Sequence, residues 1–283
     1  MTKKARSAQL FQKNIHLFHC PICKGPLKVI DYKSLVCENR HTFDIAKQGY
    51  VNLLTKPVKS NYDQDLFNAR QNIILTSGLF QPLHEILTKI INDFQKDEIV
   101  LLDAGCGEGS HLNRISENIN SNRLTGMGLD IAKEGVQQAA RKDENFLWLV
   151  GDLANLPFSN QSVHIILNIL SPANYKEFTR VLQKDGLVIK VIPRNNYLQQ
   201  LRNALGKQKK KKTNNEQMIK LFQENFQEVS TQKLTYQKKL QPIEQKNLVK
   251  MTPLSWNVDD EQMNNIETPE ITIDLDILIG KLI

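Results

Sequence analysis

Four residues near the start of the chain have the types and spacing of metal ligands. Cys20-Pro-Ile-Cys23 is followed, after thirteen intervening residues, by Cys37, and three more residues separate Cys37 from His41. Two short knuckles at opposite ends of a hairpin would bring three thiolates and an imidazole together. Tetrahedral Zn2+ takes that set at about 2.0–2.3 Å. A segment this small has too little apolar surface to fold unaided, so the ion would supply its folding free energy. A closed four-ligand shell leaves no open position, which makes the metal structural. His16 and His19 are rival imidazoles, but both precede the first knuckle and break the pairing of ligands. The competing reading is a set of free buried thiols beside an unrelated histidine.

A second constellation is the loop Leu101-Leu-Asp-Ala-Gly-Cys-Gly-Glu-Gly109, which follows an apolar run and precedes a helical stretch near His111. Gly105, Gly107 and Gly109 permit a tight turn and close approach of backbone to a ligand. The loop opens on Asp103, placed to take an ammonium group, and Glu108 adds a charge that a phosphate site would disfavour. Asp130 ends the next apolar run, where an acid accepts from ribose hydroxyls. Asp152 ends the run after that and is placed to accept from an adenine amino group. Acids at three successive strand ends suit a cationic nucleoside without phosphates, which describes S-adenosylmethionine; a dinucleotide is the competing occupant. Cys106, inside the loop, has no neighbour that would activate it and reads as a small filler.

The elements that must position these groups follow from periodicity. Residues 1–19 read as a polar leader with a helical turn around Leu10 to Ile15, residues 20–55 as the zinc module, and residues 56–98 as linker and helices. In the last of these, apolar residues recur at spacings of three and four from Leu66 to Ile91, broken by Gly78 and Pro82. From residue 99 to 283, short apolar runs (Ile99 to Leu102, Leu124 to Leu129, Phe146 to Val150, Val163 to Leu170, Leu187 to Ile192) alternate with helical stretches such as Ala132 to Arg141 and Tyr175 to Leu182. That alternation predicts a Rossmann-like α/β domain, a parallel sheet covered by helices on both faces. Ile271 to Leu278 alternates apolar residues with Thr and Asp and reads as an edge strand.

Bulk properties bound the function. Apolar residues make up 40% and charged residues 24%, ordinary for a globular chain. Lys plus Arg outnumber Asp plus Glu by 37 to 30, and the net charge of +7 leans towards a polyanionic partner. No apolar run has the length of a bilayer span, and the basic N-terminus lacks a signal peptide's apolar stretch, so the expected location is the cytoplasm, away from membranes. Four cysteines, three of them clustered, suit a metal site better than a disulfide framework. The lysine tract Lys207 with Lys209 to Lys212 reads either as a phosphate contact or as a solvated loop.

The two cysteine knuckles, followed by Phe43-Asp44-Ile-Ala-Lys47-Gln-Gly49-Tyr50-Val-Asn-Leu-Leu54, closely resemble the 23S rRNA guanine-N1 methyltransferases. The likeness continues through Ala69-Arg70, Gly78-Leu-Phe80-Gln-Pro82, the Asp103 to Gly109 loop, Ser171-Pro172, Pro193 and Met251-Thr-Pro253-Leu-Ser-Trp256. The resemblance implies a zinc module that helps recognise a hairpin loop of 23S rRNA, a domain that methylates guanine N1, and a homodimer. It also implies cofactor contacts from Phe80, Gly107, Glu108 and Tyr197, with Phe80 standing where relatives carry tyrosine. Guanine N1 carries a proton, so methylation needs a proton acceptor or stabilisation of the deprotonated base. Asn168 and Ser171, at the end of the fourth run, are the candidates to orient the guanine edge; the other reading is that they only cap the strand. Lys47, Lys56, Lys59 and Arg70 flank the zinc module and are candidates for an RNA face. Phe43 and Tyr50 are either base-stacking platforms or a mini-core around zinc, and Trp256 reads as packing. The competing functions are a small-molecule methyltransferase and a non-catalytic RNA-binding protein.

Overall fold

The computed structural model describes residues 1–58, 62–206, 215–255 and 266–282. Lys59, Lys207, Lys209 to Lys212 and Trp256 lie outside the described residues. The leader is more structured than its polarity predicts. Residues Lys3–Lys13 form helix α1, capped by Thr2, whose hydroxyl accepts the Ala5 N–H at 3.3 Å. Its Ala8 and Phe11 are buried, because the helix lies along the seam between the two modules. Phe11 packs on Phe18 at a centroid distance of 5.6 Å, and Phe18 on Phe158 at 5.4 Å, so a row of rings crosses that seam.

Strands β1 (Leu27–Ile30), β2 (Ser34–Cys37) and β3 (Thr42–Asp44) form a three-stranded antiparallel ribbon. The chain then leaves the ribbon and enters the main sheet as β4 (Val51–Asn52), parallel to the distant β7 (Leu147–Val150). Leu53 extends the join by donating its N–H to Val150 O at 2.8 Å. Helix α2 (Gln64–Gln71) follows, its first turn capped by Asp63 Oδ1, which accepts from Leu66 N at 2.7 Å. A wide turn over Asn72–Thr76 and the break at Gly78 separate it from α3 (Gln81–Asn92), with Pro82 in the first turn where no N–H is missed.

Among the described residues the main sheet has eight strands. Beside β4 and β7 run β6 (Leu124–Asp130), β5 (Ile99–Ala104), β8 (Val163–Ile169) and β9 (Leu182–Pro193), all parallel. Helices α4 (Ser110–Ser116), α5 (Lys133–Lys142) and α6 (Tyr175–Val181) connect them. The sheet is mixed rather than wholly parallel. β11 (Glu270–Lys281) runs antiparallel to β9 and to β10 (Gln227–Lys239), which is the true edge. The expected edge strand at Ile271 to Leu278 is therefore an inner one. Its alternation misleads because Asp274 and Asp276 are buried against Arg194, with Asp274 paired at 2.7 Å, so acids stand where water was expected. The edge strand β10 turns only Val229, Leu234 and Tyr236 partly inward, against the core, and is otherwise polar and largely exposed, as suits an edge facing water.

Candidate active site and metal centre

The knuckles converge. Ligand atoms of Cys20, Cys23, Cys37 and His41 all lie within 4.8 Å of one another. Cys23 Sγ and Cys37 Sγ are 3.7 Å apart, and His41 Nδ1 lies 3.3 Å from Cys37 Sγ and 3.5 Å from Cys20 Sγ. These separations are edges of a tetrahedron around an ion with bonds of about 2.0–2.3 Å, so the donor set fits zinc. Each knuckle folds by backbone hydrogen bonds: Lys24 N donates to Cys20 O at 2.8 Å and Arg40 N to Cys37 O at 2.9 Å. The Gly25 N–H beside Cys23 Sγ pulls that thiol down to about 6, which favours the thiolate that zinc needs. His19 is elsewhere. Its Nε2 is 3.4 Å from Lys24 Nζ, and burial lowers its pKa to about 4.

The module is docked on the larger domain through the loop that carries Asp152. Asn155 donates to Pro21 O at 3.1 Å and accepts from Lys24 Nζ, while His19 N donates to Pro157 O at 3.1 Å. Phe43 and Tyr50 are both buried, so they belong to the packing and not to an exposed stacking surface. Lys47 and Lys56 are exposed.

At the tips of the parallel strands, the loop after β5 turns under Leu129, whose carbonyl accepts the N–H groups of Gly105 and Cys106. Gly105 has φ +88°, and a Cβ there would collide with Ser171 Oγ. Gly107 has φ +57°, and its Cβ would sit 2.6 Å from Arg70 Nη1. Gly109 starts α4. Asp130 holds the loop from β6: Oδ2 accepts from Gly107 N and Oδ1 from Ala132 N, both at 2.8 Å. Asp152, after β7, accepts from Ala154 N at 2.8 Å.

Asp103 and Glu108 are almost wholly buried, 2% and 1% exposed. Asp103 Oδ2 and Glu108 Oε1 have no hydrogen-bond partner among the described residues. Burial pushes the Asp103 carboxyl up to about 7 against the pull of Arg70, and the charges of Asp130 and Glu108 add to the rise. Buried acids with free oxygens beside a glycine cradle fit a cationic ligand. Phe80 is buried and packs edge-on to His111 at 5.3 Å. Tyr197 is partly buried, with its phenol pushed up by burial and pulled back by Arg70.

Two expectations are corrected here. Arg70 does not face an RNA surface: its guanidinium is ion-paired to Glu108 inside this pocket, and its side chain is 18% exposed. Asn168 does not point a free amide at a substrate. Its Nδ2 donates to Ala104 O at 2.6 Å and to Pro172 O at 2.9 Å, and its Oδ1 accepts from Lys190 Nζ at 2.5 Å. Ser171 does lie at the pocket, against Gly105. Lys190 was missed. It is 6% exposed and also donates to Ser171 O, and burial lowers its pKa to about 8. A lysine inside the apolar run Leu187 to Ile192 was the available signal. Missed too was the wall formed by the zinc module's tail. A cavity of about 400 Å3 at the tips of β4, β6 and β7 is lined by Asn52, Leu54, Lys56, Ile131, Lys133 and Val150 among others.

Residues 18–61 match the zinc-ribbon family described as "RlmA, N-terminal", and residues 101–186 match a methyltransferase domain. Among solved structures, phosphoethanolamine N-methyltransferase 2 of Haemonchus contortus shares the fold, with TM-score 0.50 at 12% identity over 78% of this chain and 58% of that one. The 23S rRNA (guanine(748)-N(1))-methyltransferase of Streptomyces fradiae is 32% identical, covering 89% of this chain and 90% of that protein. YxjB of Bacillus subtilis (strain 168), provisionally named a 23S rRNA (guanine-N(1)-)-methyltransferase, is 38% identical over 93% of this chain and 96% of its own length. With the zinc ribbon matched and these relatives, 38% and 32% identical, covering 93% and 89% of its length, the chain belongs to the 23S rRNA (guanine-N1)-methyltransferase family.

Proposed function

We propose that this protein transfers a methyl group from S-adenosylmethionine to N1 of a guanine in a hairpin loop of 23S rRNA. The observation that carries the reading is the pair of buried, unpartnered carboxylate oxygens on Asp103 and Glu108 beside the glycine loop, in a chain that also holds the family's zinc ribbon. When bound, S-adenosylmethionine supplies an electrophilic methyl group. Asp103 and Glu108 offer anionic surface for its cations, Asp130 and Asp152 stand at the neighbouring strand tips for the ribose and adenine, and Phe80 and Tyr197 border the pocket. Zn2+ held by Cys20, Cys23, Cys37 and His41 keeps the ribbon folded.

Guanine must present N1 at the methyl end of this pocket, beside Ser171 and the Pro172 turn. A base in a loop, already unstacked, reaches such a site at little cost. The net charge of +7 and the exposed Lys47 and Lys56 support a phosphate-binding face on and beside the zinc module. Assembly as a homodimer, with two such faces forming one cleft, and a cytoplasmic location belong to the same reading. No helix among the described residues is long and apolar enough to cross a membrane.

The test is methyl transfer to 23S rRNA lacking the modification, followed by primer extension, which a methyl group on guanine N1 arrests. A single new arrest in a hairpin loop is expected. Transfer to a small metabolite with none to RNA would overturn the substrate assignment. Sedimentation of the purified protein reads the oligomer directly.

A further inference from the structure

Resting on the cofactor reading above, Arg70 has a position that an RNA-binding or purely structural arginine does not need. It comes from the last turn of α2, and its guanidinium lies over Gly107, close enough that a Cβ on that residue would stand 2.6 Å from Nη1. It is paired with Glu108, and it also faces the charges of Asp103 and Asp130. The cradle thus holds three carboxylates around one guanidinium, and two of those carboxylates keep a buried oxygen without a partner.

That distribution is the complement of a particular ligand end. The amino-acid part of S-adenosylmethionine carries one carboxylate and one ammonium, and the sulfonium is a second cation. Three acids and one guanidinium match two cations and one carboxylate in sign. An arginine fork also suits a carboxylate geometrically, since its N–H groups meet both oxygens side by side. A site built only for the adenosine and the sulfonium would have no use for a buried cation, which repels the sulfonium at close range.

We propose that Arg70 receives the α-carboxylate of the cofactor's amino-acid end, and that in the ligand-free protein Glu108 occupies the guanidinium in its place. Arg70 is then a specificity-determining residue. It distinguishes cofactors that carry the carboxylate from nucleosides of the same cationic type that lack it. It also explains why Glu108 is buried with one oxygen on Arg70 and one free: the free oxygen remains available to the ligand's cations.

The experiment is calorimetric titration of the full-length, zinc-loaded protein with S-adenosylhomocysteine and with its decarboxylated analogue, which keeps the amine. The unmodified protein should bind S-adenosylhomocysteine about 10–100-fold more tightly than the analogue, the range expected when a charge-assisted pair is lost. Arg70→Met should remove that preference, weakening S-adenosylhomocysteine while leaving the analogue nearly unchanged. Because Arg70→Met strands a buried Glu108, the double variant Arg70→Met with Glu108→Gln is measured beside it, and the same loss of preference is expected. Equal weakening of both ligands would assign Arg70 a structural role and overturn the proposal. So would equal affinity of the unmodified protein for the two ligands. Failure of the unmodified protein to bind either would overturn the cofactor reading itself.

Discussion

Lys190 Nζ donates to Asn168 Oδ1 at 2.5 Å across the β8–β9 pair, and a second bond from the same ammonium reaches Ser171 O. The Asn168 amide is thereby held between β9, Ala104 at the tip of β5, and Pro172. Leu170, between them, has φ +51°, a strained value for leucine. The Leu170 to Pro172 turn is fixed by this brace.

Lys190→Met should therefore loosen the Leu170 to Pro172 turn. It leaves Asn168 Oδ1 buried without its donor, a loss of about 1–3 kcal/mol, offset in part by the relief of burying a charge. The pH dependence separates the two. The amine titrates at about 8 in the folded protein and at 10.5 when exposed. Between those values the unfolded chain binds the extra proton, so this lysine makes stability rise with pH across that window, by up to about 3 kcal/mol. Denaturant unfolding of the unmodified protein and Lys190→Met at pH values spanning about 7–10.5 should give a stability difference that changes with pH in that sense. A constant difference would contradict the burial of a titrating amine.

Burial lifts the Asp103 carboxyl from an ordinary 3.8 to about 7, so it keeps its proton up to near neutrality. A folded pKa raised in this way costs stability as pH climbs from about 4 to about 7. A cationic ligand wants the carboxylate. Affinity for S-adenosylhomocysteine, which keeps the ammonium, should rise from about pH 6 to about pH 8 with proton release, and Asp103→Asn should flatten that dependence. Titration in two buffers of different ionisation enthalpy reads the released proton.

Gly105→Ala should abolish cofactor binding without unfolding the zinc ribbon. The new methyl group would meet Ser171 Oγ, and the φ of +88° is one that alanine adopts at a cost of about 1–2 kcal/mol before any collision. Stoichiometric zinc with no calorimetric response to S-adenosylhomocysteine is the expected pair of results.

Cys23→Ser should release zinc and loosen residues 20–55, with the β5, β8 and β9 strands spared. The damage should extend to the sheet edge, because β4 belongs to both modules. Hydrogen exchange at the Leu53 N–H, bonded to Val150 O, should accelerate while that of Leu102 stays slow. Retained zinc in this variant would contradict the ligand assignment.

The metal ligands and the glycine loop were legible because their chemistry depends on short spacings in sequence: Cys20 to Cys23, Cys37 to His41, Asp103 to Gly109. The parallel strands were legible because burial on both faces leaves continuous apolar runs. What sequence hid was set at long range. Arg70 looked like one more basic residue near the ribbon, and only folding brings it 38 positions along to Glu108. Lys190 is polar in an apolar run, and its role exists only through Asn168 and Ser171. The acids of β11 read as solvent-facing until Arg194 is placed beside them. β10 was silent because Val229, Leu234 and Tyr236 are too few among its polar residues to make an apolar run.

β4 has a practical meaning for anyone exchanging ribbons between relatives to redirect target choice. A splice made just after His41 would take every zinc ligand but leave β3 and β4 with the host, so the donor's β2 would have to pair with a foreign β3. A graft that carries the donor's chain through Leu53 would keep the ribbon's own strand pairing together, so the workable junction lies a dozen residues past the last ligand.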